Sequence, residues 1–248
     1  MSRMKKLTAK IIFFLTPNNE MSYSYKFTRV VQNLKYGLTK KLSSNDIIER
    51  NRGDKNNTLT DTLVENQFPI LQKYYDFIDQ KITLGDKDKS ILDIGCREGY
   101  LLELFSKNSY LNLRGVEIVP EWVSSAQKSG RTYVHQGDIL TQKNTETYDV
   151  VVSRHTLEHV DQTALFFNKI VRSLNSGGSF VCVFPLNPKP NFKHPSYLPS
   201  VEWVKENFDF SELSSVKVDR LDEFTHNGEV IDLLDEREEN EIIIFGQK

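Results

Sequence analysis

The spacing of apolar residues changes part-way along this chain. Val64, Phe68, Leu71, Tyr75, Ile78 and Ile82 follow one another at alternating steps of four and three, which predicts a single apolar stripe on an amphipathic helix. Pro69 interrupts that stripe and predicts a kink or the first turn of the helix's main segment. From Ser90 onward, short β-branched runs alternate with helical patterns. The strands predicted are 91–94, 113–118, 132–135, 148–153 and 180–184. Between them lie helical patterns carrying Leu101, Leu104 and Phe105, then Trp122 and Val123, then Phe166, Ile170 and Val171. Strand and helix alternating at this pace predict a parallel sheet covered on both faces. Asn175-Ser176-Gly177-Gly178 reads as the C-terminal cap of the last of those helices. A proline-rich loop over 185–199, a short helix begun by Ser200 and strands over 215–221 and 241–245 bring the total to about seven strands.

Composition narrows the class. The chain has 248 residues, 38% hydrophobic and 27% charged, which suits one globular domain and excludes collagen, coiled coil and wholesale disorder. Its two cysteines, Cys96 and Cys182, have no framework spacing, so neither a disulfide scaffold nor a CxxC zinc site is expected and a reducing, cytoplasmic setting is. The net charge of −2 hides an asymmetry: residues 1–41 hold nine basic side chains and one acid, so that arm is +8 and the remainder −10. A body so acidic does not suit a broad nucleic-acid face, whereas the small basic arm suits a membrane surface, a nucleic acid or an acidic partner. The polar run 43–60 reads as a linker, giving an arm and linker over 1–60 and a main domain over 61–248. The apolar run Ile11 to Leu15 is too short for a membrane span and has no small-residue cleavage site after it, so neither a span nor a signal peptide is expected.

The first strand of the alternating region runs into SILDIGCREG, with Gly95 and Gly99 in the turn before a helix. Glycine there lets backbone N–H groups approach a ligand, and the helix start adds positive potential. Asp93 discriminates between ligands: it would repel the pyrophosphate of a dinucleotide but suits a positive amino group. The G-x-x-x-G spacing also departs from the dinucleotide fingerprint.

LDIGCREG resembles the first motif of class I S-adenosylmethionine-dependent methyltransferases, of the type 11-like group, with Arg97 where the family usually has glycine. GVEIVPEW, HQGDIL, YDVVVSRHTLEHV and KIVRSLNSGGSFVCVFP follow in the family's order. The resemblance implies a Rossmann-like three-layer α/β/α sandwich with a mostly parallel seven-stranded sheet, the last strand antiparallel. It implies cofactor contacts from Asp93, Gly95, Cys96, Gly99 and Ser153. Glu117 would accept the ribose hydroxyls, Ile118 would lie against the adenine, and Asp138, beside Ile139, would accept the adenine amino group.

The Ser153–His159 segment follows the strand that, in this fold, ends beside the transferred methyl. Methyl transfer to a hydroxyl needs alignment and removal of a proton, and imidazole titrates in the right range, so His155 is the expected base. Glu158 and His159 read as a structural turn, with His159 and His194, from the loop after the fifth strand, also candidates for touching substrate. His155, Glu158 and His159 at i, i+3, i+4 also suit a metal site completed by His194, as in RNA 3′-terminal ribose methyltransferases; no metal is assigned. His135 is expected to pack within its strand and His226 to sit in a turn.

KKLTAKIIFFL, over 5–15, joins basic residues to a compact apolar end, and its longer run resembles the N-termini of some enzymes of bacterial surface-polysaccharide pathways. Peripheral contact with an anionic membrane is one expectation, each basic residue adding about 1 kcal/mol near the surface. Packing of the arm on the body as a helical lid is the second, and single-stranded RNA on its interleaved aromatic and basic residues the third, against which the acidic body counts. The expected activity is O-methylation of a sugar, glycan precursor or other small hydroxylated acceptor. A metal-dependent RNA ribose methyltransferase and a non-catalytic cofactor binder are the competing readings.

Overall fold

Burial on both faces is what the predicted run Ile91–Ile94 requires of its surroundings, and the computed structural model provides it: all four residues of this strand, β1, are buried. The structure describes residues 61–142, 146–187, 189, 194–233 and 240–248, with positions 45, 48 and 49. The basic arm and most of the linker lie outside the described residues.

The chain enters through α1 (Asp61–Phe77), continued by a wider π turn over Ile78–Ile82. Pro69 stands inside α1, so the helix runs through the proline instead of starting there. After β1 come α2 (Tyr100–Lys107), β2 (Leu113–Glu117), α3 (Pro120–Lys128), β3 (Val134–Gln136), β4 (Tyr148–Arg154), α4 (Thr163–Arg172), β5 (Leu174–Pro185), α5 (Val201–Asn207) and β6 (Ser215–Arg220). A two-stranded hairpin, β7 (Thr225–His226) and β8 (Glu229–Val230), precedes β9 (Glu241–Gln247). The main sheet has seven strands in the order β3-β2-β1-β4-β5-β9-β6. Strands β1 to β5 are parallel, and β9 is antiparallel to both of its neighbours.

Alternation along the strands builds two cores. Val151 packs on one face with Phe166, Phe167 and Ile170 of α4, while Val150 and Val152 pack on the other with Tyr74, Phe77, Leu102 and Phe105. The chain passes from β1 to one side of the sheet and returns with β4 on the other. That reversal opens a crevice at the carboxyl ends of β1 and β4, where α/β proteins bind ligands. Among the described residues no helix is long and apolar enough to cross a membrane.

Three local expectations change. Helix α4 ends at Arg172, and Leu174 already pairs with Tyr148 while Ser179 pairs with Val150. Asn175–Gly178 is therefore a bulge in β5, with Gly177 at φ +77 and tied to the chain end by Gly177 N–H to Lys248 O at 2.8 Å; it is not a helix cap. His135 is exposed on β3 rather than packed. His226 lies in a strand of the hairpin, its ring against Phe77 and Phe245.

Candidate active site

The turn from β1 into α2 is dictated by backbone conformation. Gly95, Arg97 and Gly99 all have positive φ, at 78°, 51° and 78°. A Cβ on Gly95 would lie 2.1 Å from Thr156 Oγ1, and one on Gly99 2.5 Å from Val134 Cγ2, so both positions need glycine for space as well as for conformation. The Ser153 hydroxyl donates to Ile94 O at 3.1 Å, which pins β4 to the end of β1. Cys96 turns its side chain inward against Val123, Ala126 and Val134, and burial pushes its thiol up.

Two carboxyl groups are buried at the ends of adjacent strands. Glu117 accepts Val119 N–H at 2.8 Å and Arg97 N–H at 2.9 Å, one on each oxygen. Burial raises its pKa, and those N–H groups restrain the rise. Asp93 is pushed up to about 7 by burial and by the charge of Glu117, against the pull of Arg154. Asp138 is half-buried and caps the next turn, accepting Leu140 N–H at 2.9 Å. Ile118 is half-buried beside Glu117, while Ile139 is 9% exposed and belongs to the core. Paired buried carboxyls beside a glycine turn fit the chemistry of a ligand that carries both an ammonium and a diol, as S-adenosylmethionine does.

Beyond the end of β4 the strained backbone of His155, φ +51, directs its ring between two carboxylates. Nε2 contacts Glu241 Oε1, and Nδ1 lies 3.5 Å from Glu158 Oε1. Both acids are 2% exposed, and Oε2 of each has no hydrogen-bond partner among the described residues. Burial opposes a charge on the ring, but the two carboxylates outweigh it and hold His155 up at about 9, with Glu158 held low in return by His155. At neutral pH the ring is thus an imidazolium with no lone pair to offer, which is not the free imidazole expected of a base. Glu158 Oε1 is also 3.7 Å from His159 Nε2, and the His159 and His194 rings stand 4.9 Å apart. His194 is tied to its loop by Asn187 Nδ2, which donates to His194 O at 2.9 Å. The structure thus gathers His155, Glu158, His159 and His194 into one cluster. Among the described residues no group of three or more such side chains is arranged to hold a metal ion.

Sequence reasoning missed Glu241. It starts β9 opposite Pro185 in the register, 86 positions beyond His155, and an acid heading the apolar run EIIIF was the only available signal. Also unforeseen are Arg97 over the Trp122 ring, at 4.6 Å, and Arg154 over the Tyr74 ring, at 5.5 Å.

Comparison with known proteins agrees with this geometry. The model of a methyltransferase domain family matches residues 64–220. Among solved structures, phosphoethanolamine N-methyltransferase 2 of Haemonchus contortus, in complex with S-adenosyl-L-methionine, is 16% identical with a TM-score of 0.60, over 84% of this chain and 60% of that one. The [4+2]-cyclase SpnF is 14% identical with a TM-score of 0.52, over 71% of this chain and 80% of that one. The chain spans about half to three-fifths of the length of the first structures it resembles. This chain belongs to the methyltransferase domain family, and its seven-stranded sheet has the Rossmann-like fold of class I methyltransferases.

Two titrations test the site. Below about pH 7 the free protein holds Asp93 protonated, so binding an ammonium must expel a proton and affinity must fall by up to about tenfold per pH unit as pH drops from 7. Calorimetry with S-adenosylhomocysteine between pH 5.5 and 7.5, in two buffers of different ionisation heat, will show proton release in the wild type and none in Asp93→Asn; a flat affinity with no release contradicts the assignment. For His155, imidazole NMR will give a titration near 9, lowered in Glu241→Gln. Because the folded pKa is the raised one, the stabilisation is complete below about 6.5 and is lost as pH rises through about 9; an ordinary imidazole pKa in the wild type contradicts the clamp.

Proposed function

We propose that this methyltransferase acts on a hydroxyl of a sugar, glycan precursor or other small hydroxylated acceptor. The observation that carries this reading is the buried cluster of His155, Glu158 and Glu241 beyond the end of β4. An amine with a free lone pair needs no base, whereas a hydroxyl must lose its proton as its oxygen bonds to carbon. One imidazolium between two carboxylates keeps a net negative charge out of water, and a further proton removes that charge. The hydroxyl proton therefore goes to a carboxylate oxygen of the cluster, Oε2 of Glu158 or of Glu241, neither of which has a hydrogen-bond partner among the described residues, and His155 is the imidazolium that positions both acids.

S-adenosylmethionine supplies an electrophilic methyl carbon on a sulfonium, which leaves as a neutral thioether. This chain's own residues do the rest. Asp93 and Glu117 fix the ammonium and ribose, the glycines of the Gly95–Gly99 turn let the cofactor come close to the backbone, and Asp138 and Ile118 receive the adenine. His159 and His194 line the acceptor side. The acceptor is sugar-linked in this reading, and the +8 arm brings the domain to an anionic membrane surface. The likeness to an N-methyltransferase shows a shared fold, and one fold hosts many reactions.

The deciding experiment supplies purified protein with methyl-labelled S-adenosylmethionine and extract of its source cells, with and without chelator. Label in nucleotide sugars, glycan or glycolipid, unaffected by chelator, is the expected result. Chelator-sensitive label in RNA, label in amines, or tight cofactor binding without any transfer would each overturn the reading.

A further inference from the structure

Arg97 stands where the related turn usually has glycine, and its backbone carries the cost of that choice, a left-handed φ of 51°. Its side chain reaches across to α3. The guanidinium lies over the ring of Trp122, 4.6 Å from the centroid, in the first turn after the β2–α3 connection. Its Nε is also 3.9 Å from the buried Glu98 Oε2, so the head group has an electrostatic hold on its own turn.

The two segments joined by this stack are those that grip Glu117. Arg97 N–H binds one oxygen of that carboxylate and Val119 N–H the other. Glu117 therefore lies between the turn that bears Arg97 and the connection leading to Trp122. A ligand held by Glu117 would therefore lie against both of these segments. The positive charge of Arg97 also helps keep Glu117 ionised, the form that accepts two hydroxyl donors.

We propose that Arg97 and Trp122 form a strap across the ribose-binding side of the cofactor site, so that Arg97 is a cofactor-retaining residue that this chain has in place of a turn glycine. The proposal rests on the assignment of Glu117 to the ribose. A guanidinium on an indole is a planar, weakly hydrated pair that holds without a fixed hydrogen bond, which suits a contact that must open at each turnover.

The test uses the full chain loaded with labelled S-adenosylmethionine or S-adenosylhomocysteine and chased with unlabelled ligand. In Arg97→Gly the backbone strain is relieved, so its melting temperature equals or exceeds that of the wild type, yet the dissociation rate rises at least about threefold. Trp122→Leu gives a similar rise, Arg97→Lys a smaller one, and the double variant Arg97→Gly with Trp122→Leu releases no faster than the faster single variant. Wild-type dissociation in Arg97→Gly, or rate effects that multiply in the double variant, would overturn the strap. Unchanged affinity in Glu117→Ala alongside faster release in Arg97→Gly would move the strap away from the ribose. A wild-type chain that binds neither ligand would remove the cofactor assignment itself and the proposal with it.

Discussion

Two acids buried side by side at the ends of neighbouring strands impose a cost that the rest of the site is arranged to manage. Asp93 and Glu117 repel each other and are both withdrawn from water, where an ionised carboxylate has lost most of its solvation. Part of that cost is met within the protein, by two backbone N–H groups on Glu117. The remainder leaves Asp93 near neutrality. A cationic ligand with hydroxyl donors would supply what is missing, so the same strain that costs stability would favour such a ligand over an anionic one. The glycine turn follows from this arrangement, since Gly95 must let Thr156 approach and Arg97 must turn its N–H toward Glu117.

The acceptor side uses charge in the opposite sense. There two carboxylates surround one imidazole and hold it protonated. Glu241 brings β9, the antiparallel strand between β5 and β6, into contact with His155. Because β9 pairs with β5 along seven register positions, the position of Glu241 is as rigid as the sheet itself. His155 is therefore held from both sides of β4, by its own loop through Glu158 and by the far strand through Glu241.

Local pattern made much of this legible. The strands from Ile91 to Phe184 announced themselves by β-branched runs, and the carboxylates by standing at the ends of those runs. What pattern could not supply was pairing between distant segments. Gly177 and Gly178 looked like a helix cap because glycine terminates helices and bulges strands equally well, and only the register of Tyr148 and Val150 against β5 separates the two. Glu241 carried no local signal of a partner. His155 looked like a base because an imidazole alone titrates near neutrality; its two carboxylate neighbours reverse that expectation, and one of them comes from the end of the chain. Arg97 appeared as a departure from a motif, and its contact with Trp122 gives the departure a physical content.

The central claim is that the carboxylates at the strand ends hold the cofactor. Calorimetric titration of wild type and Glu117→Ala with S-adenosylhomocysteine at pH 7.5 tests it most directly. Loss of two hydrogen bonds to a charged acceptor predicts a weakening of at least about 2 kcal/mol, roughly thirtyfold in Kd, with the melting temperature of the ligand-free variant little changed or raised because a buried acid is gone. Equal affinity in the two proteins would contradict the account.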